Sequence, residues 1–154
     1  MKHTTIDCYG ANANQLDDMK LVNQLLNEIV YKMELDPICP PHIIPYYYGK
    51  VKEDLGISAY VLLKCGHLTI HTFPIRECYF VDLFAAEDFN EDKLVEFFYE
   101  KLPFNKEKSI INTKNRIKGQ FEMQNYDTTC DFGPHLMVEI KANKVATMDS
   151  FLTF

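Results

Sequence analysis

The chain has 154 residues, of which 47% are hydrophobic, and a formal net charge of -6 at pH 7. This length and hydrophobic content are sufficient for one ordinary folded domain, and they exclude a disordered chain. The charge is acidic, without a basic block, which argues against nucleic acid or an anionic membrane as the main partner. No apolar run reaches the length of a transmembrane helix, and the first residues lack a signal-peptide core. We therefore predict a cytoplasmic protein.

Five cysteines are present, and they are odd in number without a Cys-x-x-Cys pair: Cys8, Cys39, Cys65, Cys78 and Cys130. This arrangement argues against a disulfide framework or a structural zinc site, and we predict no metal ion. Small hydrophobic side chains in a reducing compartment are the ordinary interpretation. Cys65 stands apart because it falls on a predicted turn in the centre of the chain.

The N-terminal part predicts a strand followed by one long helix. Residues 3–9 are strand-like, and the turn after them offers Asn12 or Asn14 as a helix N-cap. Apolar residues over residues 16–33 recur at helical spacing. The helix is predicted to end near Leu35, before a proline-rich break.

Residues 43–48 form an aromatic, strand-like segment that ends in three consecutive tyrosines. Such tyrosines can line a pocket, which makes Tyr47 a candidate binding residue, or they can cover a sheet surface. Residues 49–56 are predicted to form a charged turn.

Three strands in succession are predicted in the centre of the chain. Residues 60–64 are nearly all apolar, residues 68–72 alternate apolar and polar, and residues 78–84 are rich in Tyr, Phe, Val and Leu. A tight turn over residues 64–67 joins the first two strands, with Gly66 free to adopt a positive φ.

His67 and His71 lie four residues apart on this predicted hairpin. An even separation places both side chains on one face of a strand. In one interpretation they are partly buried and hydrogen-bonded to neighbours. In the other, one of them is a proton donor in a pocket.

A second helix and a last strand complete the predicted fold. The helix begins after Asn90 and buries Leu94, Phe97 and Phe98, and residues 109–118 form a polar edge strand. The order of strand, helix, run of strands, helix and strand indicates an α+β fold. We expect a two-layer sandwich in which two helices cover one face of a mostly antiparallel sheet.

The C-terminal part of the chain repeats the pattern of its beginning. Residues 134–143 match residues 3–12 in residue class, and a match at domain scale indicates duplication. We therefore predict a domain at residues 1–118, a linker at residues 119–133, and the start of a second, truncated copy at residues 134–154. The alternative is an ordinary strand and helix that match by chance.

Four motifs occur in a fixed order: His3-x-x-x-Asp7-x-Tyr9-Gly10, Gly56-Ile57-Ser58, Leu62-Leu63-x-x-x-His67-Leu68-Thr69-Ile70-His71-Thr72-x-Pro74 and Val81-Asp82-Leu83-Phe84. In order and spacing this set resembles the prokaryotic S-adenosylmethionine decarboxylases. The resemblance implies a small α+β sandwich that dimerises, with sites near the dimer interface. It also implies a precursor that cleaves itself and converts a serine into a pyruvoyl group, the electron sink for loss of CO2 in a reaction that feeds spermidine synthesis.

The chain departs from this family at the processing site. Where the family has Glu-Ser directly before the first histidine of its block, this chain has Cys65-Gly66. Glycine has no side-chain nucleophile and cannot become a pyruvoyl group, so no cofactor is expected. The family's catalytic cysteine corresponds to Ala86, and its acidic residue after the proline corresponds to Ile75. One route to self-cleavage remains, in which the Cys65 sulfur attacks the carbonyl of Lys64.

Other family positions are retained. His71 stands at the proton-donor position of the family, and Ser58 at a position that faces the active site, so both are candidate catalytic residues. Phe73 replaces a family tryptophan and still offers an aromatic face. Together with His67 and Tyr47, it is a candidate substrate-binding residue.

Three hypotheses of function follow from these observations. The chain is an uncleaved structural or regulatory homologue that binds S-adenosylmethionine or a polyamine, as a homodimer or paired with a family homologue. Alternatively, decarboxylase activity arises from a second, active domain copy or from processing at Cys65. In a third hypothesis, an enzyme of another class reuses His71, Ser58 and Cys65.

Overall fold

The computed structural model describes residues 1–116, and its strands follow the alternation of apolar and polar residues in the sequence. In chain order these strands are β1 (Lys2–Tyr9), β2 (His42–Tyr46), β3 (Gly56–Leu63), β4 (Gly66–Phe73), β5 (Cys78–Ala85) and β6 (Ile110–Asn115). They form one sheet in the order β2-β3-β4-β5-β1-β6, with antiparallel neighbours throughout. The predicted α+β fold with a mostly antiparallel sheet is confirmed.

Helices cover one face of this sheet: α1 (Ala13–Leu16), α2 (Met19–Lys32) and α3 (Glu91–Lys101). The single long helix predicted for the N-terminal part is wrong, because the structure divides it into α1 and α2. The side chain of Asp18 accepts hydrogen bonds from the backbone N–H groups of Lys20 and Leu21, so a new helix begins there. The predicted caps Asn12 and Asn90 do cap α1 and α3.

The core lies between the sheet and the helices. Alternate residues of the central strands and one stripe of each long helix are almost completely buried, including Ile6, Val61, Leu68, Ile70, Val81, Leu83, Val22, Leu26, Ile29, Leu94, Phe97 and Phe98. Burying one large apolar side chain contributes about 1.5–3 kcal/mol. None of the helices within residues 1–116 is long and apolar enough to cross a membrane.

The hairpin between β3 and β4 differs from its prediction. It turns at Lys64 and Cys65, and Gly66 already begins β4. The positive φ predicted for Gly66 is wrong, since Gly10 is the glycine with positive φ among the described residues. Glycine is required for another reason: a Cβ atom at Gly66 would lie 1.9 Å from the carbonyl oxygen of Phe84.

The opposite face of the sheet, here called the open face, is not covered by any helix of residues 1–116. Because side chains alternate along a strand, the residues that flank the buried ones project from this face. They include His3, Ser58, His67, His71 and Asp82. The predicted linker and truncated second copy lie outside the described residues.

Candidate functional site on the open face

Ser58 and His71 form a cross-strand pair at one end of the open face. They lie opposite each other in the β3–β4 register, and a hydrogen bond of 2.9 Å joins Ser58 Oγ to His71 Nδ1. Partial burial lowers the pKa of His71, and the nearby Asp82 carboxylate opposes this shift in part. The ring therefore favours its neutral form, in which it can accept one proton and donate another.

An aromatic cluster adjoins this pair. Phe80 lies opposite His71 in the β4–β5 register. Its ring contacts Phe73 edge to face, with centroids 5.5 Å apart, and Tyr9 with centroids 6.2 Å apart. Aromatic faces of this kind attract apolar, planar or cationic groups. The predicted binding residue Phe73 thus belongs to an aromatic cluster that includes the strand partner of His71.

Asp82 forms a second centre on the open face. Its Oδ1 atom lies 2.8 Å from His3 Nε2 and 3.3 Å from His67 Nε2, so two histidines converge on one carboxylate oxygen. Partial burial alone would raise the pKa of Asp82. The hydrogen bonds from His3 and His67 outweigh that effect and hold the pKa well below its usual range. Asp82 is therefore ionised at neutral pH.

Arg116 fixes the direction of the hydrogen bonds that His3 makes. Its Nη2 atom lies 2.9 Å from His3 Nδ1, and a guanidinium can only donate hydrogen bonds. His3 must therefore accept at Nδ1 and donate from Nε2 to Asp82. The guanidinium also lies 4.7 Å from the ring centroid of Phe84, which contacts both histidines.

The same proton assignment argues against a metal ion at Asp82. Metal coordination needs a free lone pair on the histidine nitrogen, and His3 Nε2 carries the proton. Within residues 1–116 there is no group of three or more His, Cys, Asp or Glu side chains suited to hold a metal ion.

Tyr47 is not brought to the open-face clusters. Its hydroxyl donates a hydrogen bond of 2.7 Å to Asp17, the residue that follows α1. This hydrogen bond, followed by partial burial, raises the pKa of Tyr47. The structure therefore gives Tyr47 a contact on the helix side of the sheet, and its predicted role in substrate binding stays a prediction.

The predicted processing site, Cys65-Gly66, lies at the other end of β4 from His71. Gly66 and His71 are five residues apart on one strand, which corresponds to about 17 Å at the usual rise per residue. Cys65 is exposed in the turn, and its carbonyl oxygen accepts a hydrogen bond of 3.1 Å from the backbone N–H of Ala86. Within one chain, the turn and His71 therefore lie far apart.

Several residues of the site were not recognised as site residues from the sequence. Asp82 and His3 belong to the motifs quoted above, but their pairing joins residues that are 79 positions apart. The alternation of apolar and polar residues along a strand predicts on which face of the sheet each side chain lies. It does not predict that β1 lies between β5 and β6, and this placement brings His3, Asp82 and Arg116 together.

The sequence model of S-adenosylmethionine decarboxylase matches residues 2–116. The chain belongs to the S-adenosylmethionine decarboxylase family. The S-adenosylmethionine decarboxylase proenzyme of Clostridium botulinum strain Langeland is 24% identical over 121 residues, which cover 78% of this chain and 95% of that protein. The proenzyme of strain Loch Maree is 27% identical over 105 residues, covering 68% of this chain and 84% of that protein.

A solved structure agrees with this assignment. The crystal structure of the adenosylmethionine decarboxylase from Aquifex aeolicus VF5 superposes with a TM-score of 0.63 at 21% identity. The superposition covers 80% of the present chain and 96% of the Aquifex aeolicus chain. At this identity the similarity is one of fold, and the chemistry has to be argued from the residues present.

The pyruvoyl group implied by the family does not fit the residues of this chain. The resemblance predicts this group at residue 66, which is glycine and has no hydroxyl, and the space where a side chain would begin is occupied by the backbone of Phe84.

Proposed function

We propose that this chain is an uncleaved member of its family that has no pyruvoyl-dependent decarboxylase activity and acts as a structural or regulatory homologue in spermidine biosynthesis. One observation carries the proposal. Gly66 lacks a nucleophile at the position where the family forms its cofactor, and a Cβ atom there would lie 1.9 Å from a backbone oxygen. Self-cleavage requires a side-chain nucleophile next to the carbonyl that is attacked.

The intact mass of the purified, denatured protein tests this proposal. We expect one species at 18.0 kDa. The protein should also release no CO2 from S-adenosylmethionine, and borohydride should trap no covalent adduct with the substrate amine. Two fragments that meet near residues 64–66, or pyruvoyl-dependent CO2 release, would contradict the proposal.

The proposed ligand is S-adenosylmethionine, with a polyamine as the alternative. Support comes from the aromatic cluster of Phe73, Phe80 and Tyr9 beside His71, because a sulfonium or ammonium cation is attracted to aromatic faces. Isothermal titration calorimetry with S-adenosylmethionine and with spermidine distinguishes the two ligands. Phe73→Ala should weaken binding about tenfold, which corresponds to about 1.4 kcal/mol. Tyr31→Ala is the control, because that side chain is 80% exposed on α2.

The proposed assembly is a homodimer or a pair with a family homologue, joined through the open face. In a two-fold arrangement a residue away from the axis meets a different residue of the partner, so one end of the face can meet the other end. Such pairing would bring the Ser58–His71 end of one copy towards the Gly66 end of the next, which a single chain keeps about 17 Å apart. Sedimentation velocity on the full chain tests for dimers, and a monomer at all concentrations would contradict this part of the proposal.

Processing at Cys65 is a second candidate, favoured by the exposure of that thiol in the turn. It would restore decarboxylase activity if the sulfur attacked the carbonyl of Lys64. A second active domain copy remains the other route to activity. Cys65→Ala separates these possibilities, since alanine offers no nucleophile and the change abolishes cleavage only if the thiol is used.

An enzyme of another class is the third candidate, and the 2.9 Å hydrogen bond between Ser58 and His71 favours it. A neutral histidine can serve as the base for a neighbouring hydroxyl. Labelling of Ser58 by a fluorophosphonate probe would support this function, and labelling that persists in Ser58→Ala would contradict it.

The proposed compartment is the cytoplasm. The cysteines of residues 1–116 are all free thiols, namely Cys8, Cys39, Cys65 and Cys78. Free thiols suit a reducing environment, where disulfides do not persist. Fractionation of cells that express the full chain tests this localisation.

A further inference from the structure

Gly66 lies unusually close to the backbone of the neighbouring strand β5. A Cβ atom built on it would lie 1.9 Å from the carbonyl oxygen of Phe84, 2.8 Å from its carbonyl carbon and 3.0 Å from the Cα of Ala85. An ordinary carbon–oxygen contact is about 3.3–3.6 Å. Since all three atoms belong to the backbone, no change of side-chain rotamer can make room. A side chain at residue 66 requires the two strands to separate.

Several interactions hold these two strands together. The β4–β5 register runs from Gly66 opposite Ala85 to Phe73 opposite Cys78, in the middle of the sheet. Leu68 and Leu83, a cross-strand pair near the same end, are both 0% exposed. Separating the strands at Gly66 would therefore cost backbone hydrogen bonds and disturb the core.

The turn before Gly66 is fixed on both sides as well. The backbone N–H of Ala86 donates to the carbonyl of Cys65 at 3.1 Å, and the N–H of Lys64 donates to the carbonyl of Asp36 at 2.8 Å. The peptide bond between Cys65 and Gly66, which corresponds to the bond cut in the family, is thus held rigidly. These two hydrogen bonds oppose a movement of residue 66 away from β5.

We infer that Gly66 has become a structural requirement of the β4–β5 pair, so that restoring the family's Glu-Ser sequence does not restore self-cleavage. A serine hydroxyl would have to form a bond to the Cys65 carbonyl carbon and give up its proton, while the peptide nitrogen leaves as an amine. The Cβ that carries this hydroxyl would have to occupy the space of the Phe84 carbonyl. This inference rests on the proposed function, because it explains why an uncleaved chain stays uncleaved.

A double variant, Cys65→Glu with Gly66→Ser, tests the inference. We expect a single species at its calculated mass after prolonged incubation, as for the wild type. Two fragments from the double variant and one species from the wild type would overturn the inference and leave the proposed function standing. Two fragments from the wild type would overturn the proposed function itself.

Gly66→Ala tests the physical cause, because it adds the Cβ without a nucleophile. We expect its Tm to fall by about 10 °C or more, in line with about 2 kcal/mol for a small domain. Gly49→Ala is the matched control, since a Cβ there meets the side-chain atoms Tyr46 Cε1 at 2.9 Å and Leu55 Cδ2 at 3.1 Å, which can move. A Tm for Gly66→Ala within about 2 °C of the wild type would contradict the inference.

If the Gly66 variants do not fold in buffer, the comparison is made in trimethylamine N-oxide, which favours the folded state. There we expect an uncut double variant and a lower Tm for Gly66→Ala than for the wild type in the same solution. A folded variant that cleaves itself, or that matches the wild-type Tm, would again overturn the inference.

Discussion

The Nδ1 atom of His3 accepts a hydrogen bond from Nη2 of Arg116 at 2.9 Å, so His3 carries its proton on the opposite ring nitrogen. That nitrogen lies 2.8 Å from the Asp82 carboxylate. His3 thus bridges the guanidinium of Arg116 and the carboxylate of Asp82. This bridge connects β1 and β5 to the residue that follows β6.

Asp82→Asn tests the contribution of this centre. We expect the free energy of unfolding at pH 7 to fall by about 2 kcal/mol, because two histidine donors lose a charged acceptor. The pKa of Asp82 is depressed in the folded state, so its stabilisation is complete above the unfolded pKa of about 4 and is lost as pH falls through the folded pKa. Urea unfolding from pH 7 down to pH 3 should therefore show a steeper loss below pH 4 for the wild type. Equal slopes for the two proteins would contradict this assignment.

His71→Gln tests the second titrating group. The pKa of His71 is lowered mainly by burial, so the unfolded chain binds a proton more readily than the folded one. The wild type should therefore lose stability as pH falls below the unfolded pKa of about 6.5. His71→Gln should lose less between pH 7.5 and 5.5, as measured by urea unfolding at both values. If the variant keeps the full wild-type pH dependence, another group is responsible.

Asp18→Ala tests the cap that separates α1 from α2. The side chain satisfies two backbone donors of α2, and loss of such a cap costs about 1 kcal/mol. Thermal unfolding should show the loss, and Asp18→Ser should recover most of it, because serine also caps helices. A wild-type Tm for Asp18→Ala would mean that α2 does not depend on this cap.

Tyr79→Phe tests a buried hydroxyl beneath α3. Tyr79 is 0% exposed, and its hydroxyl donates to the carbonyl of Leu102 at 2.8 Å. Removing the hydroxyl leaves a buried carbonyl without this donor and should cost about 1–3 kcal/mol. Tyr31→Phe, at a side chain 80% exposed, should change the unfolding free energy by less than about 0.5 kcal/mol. Similar effects for both variants would contradict the prediction.

Local patterns predicted most of the secondary structure and the alternation that defines the open face. They predicted the buried residues of α3 and the helix caps Asn12 and Asn90, because caps and buried stripes depend on neighbours within a few residues. The break at Asp18 was missed because the apolar spacing continues across it. The Asp82 centre was missed because it needs β1 between β5 and β6, an arrangement set by contacts between residues far apart in sequence.

Gly66 illustrates the same limit. The sequence suggested a flexible residue in a turn, but the structure requires glycine because β5 passes too close for a Cβ atom. That Gly66 is a departure from the family stays a prediction, and the contact that requires glycine there became apparent only from a neighbouring strand.

The two-residue turn at Lys64 and Cys65 has a consequence for how the molecule recovers from unfolding. While the turn stays intact, β3 and β4 belong to one covalent hairpin, and such a unit forms within microseconds because its loop is short. A chain cut at this turn would become two separate polypeptides, whose reassembly depends on protein concentration. The uncut chain keeps both halves on one polypeptide, so the folding rate of each protomer, as distinct from the assembly of a dimer, should not depend on dilution.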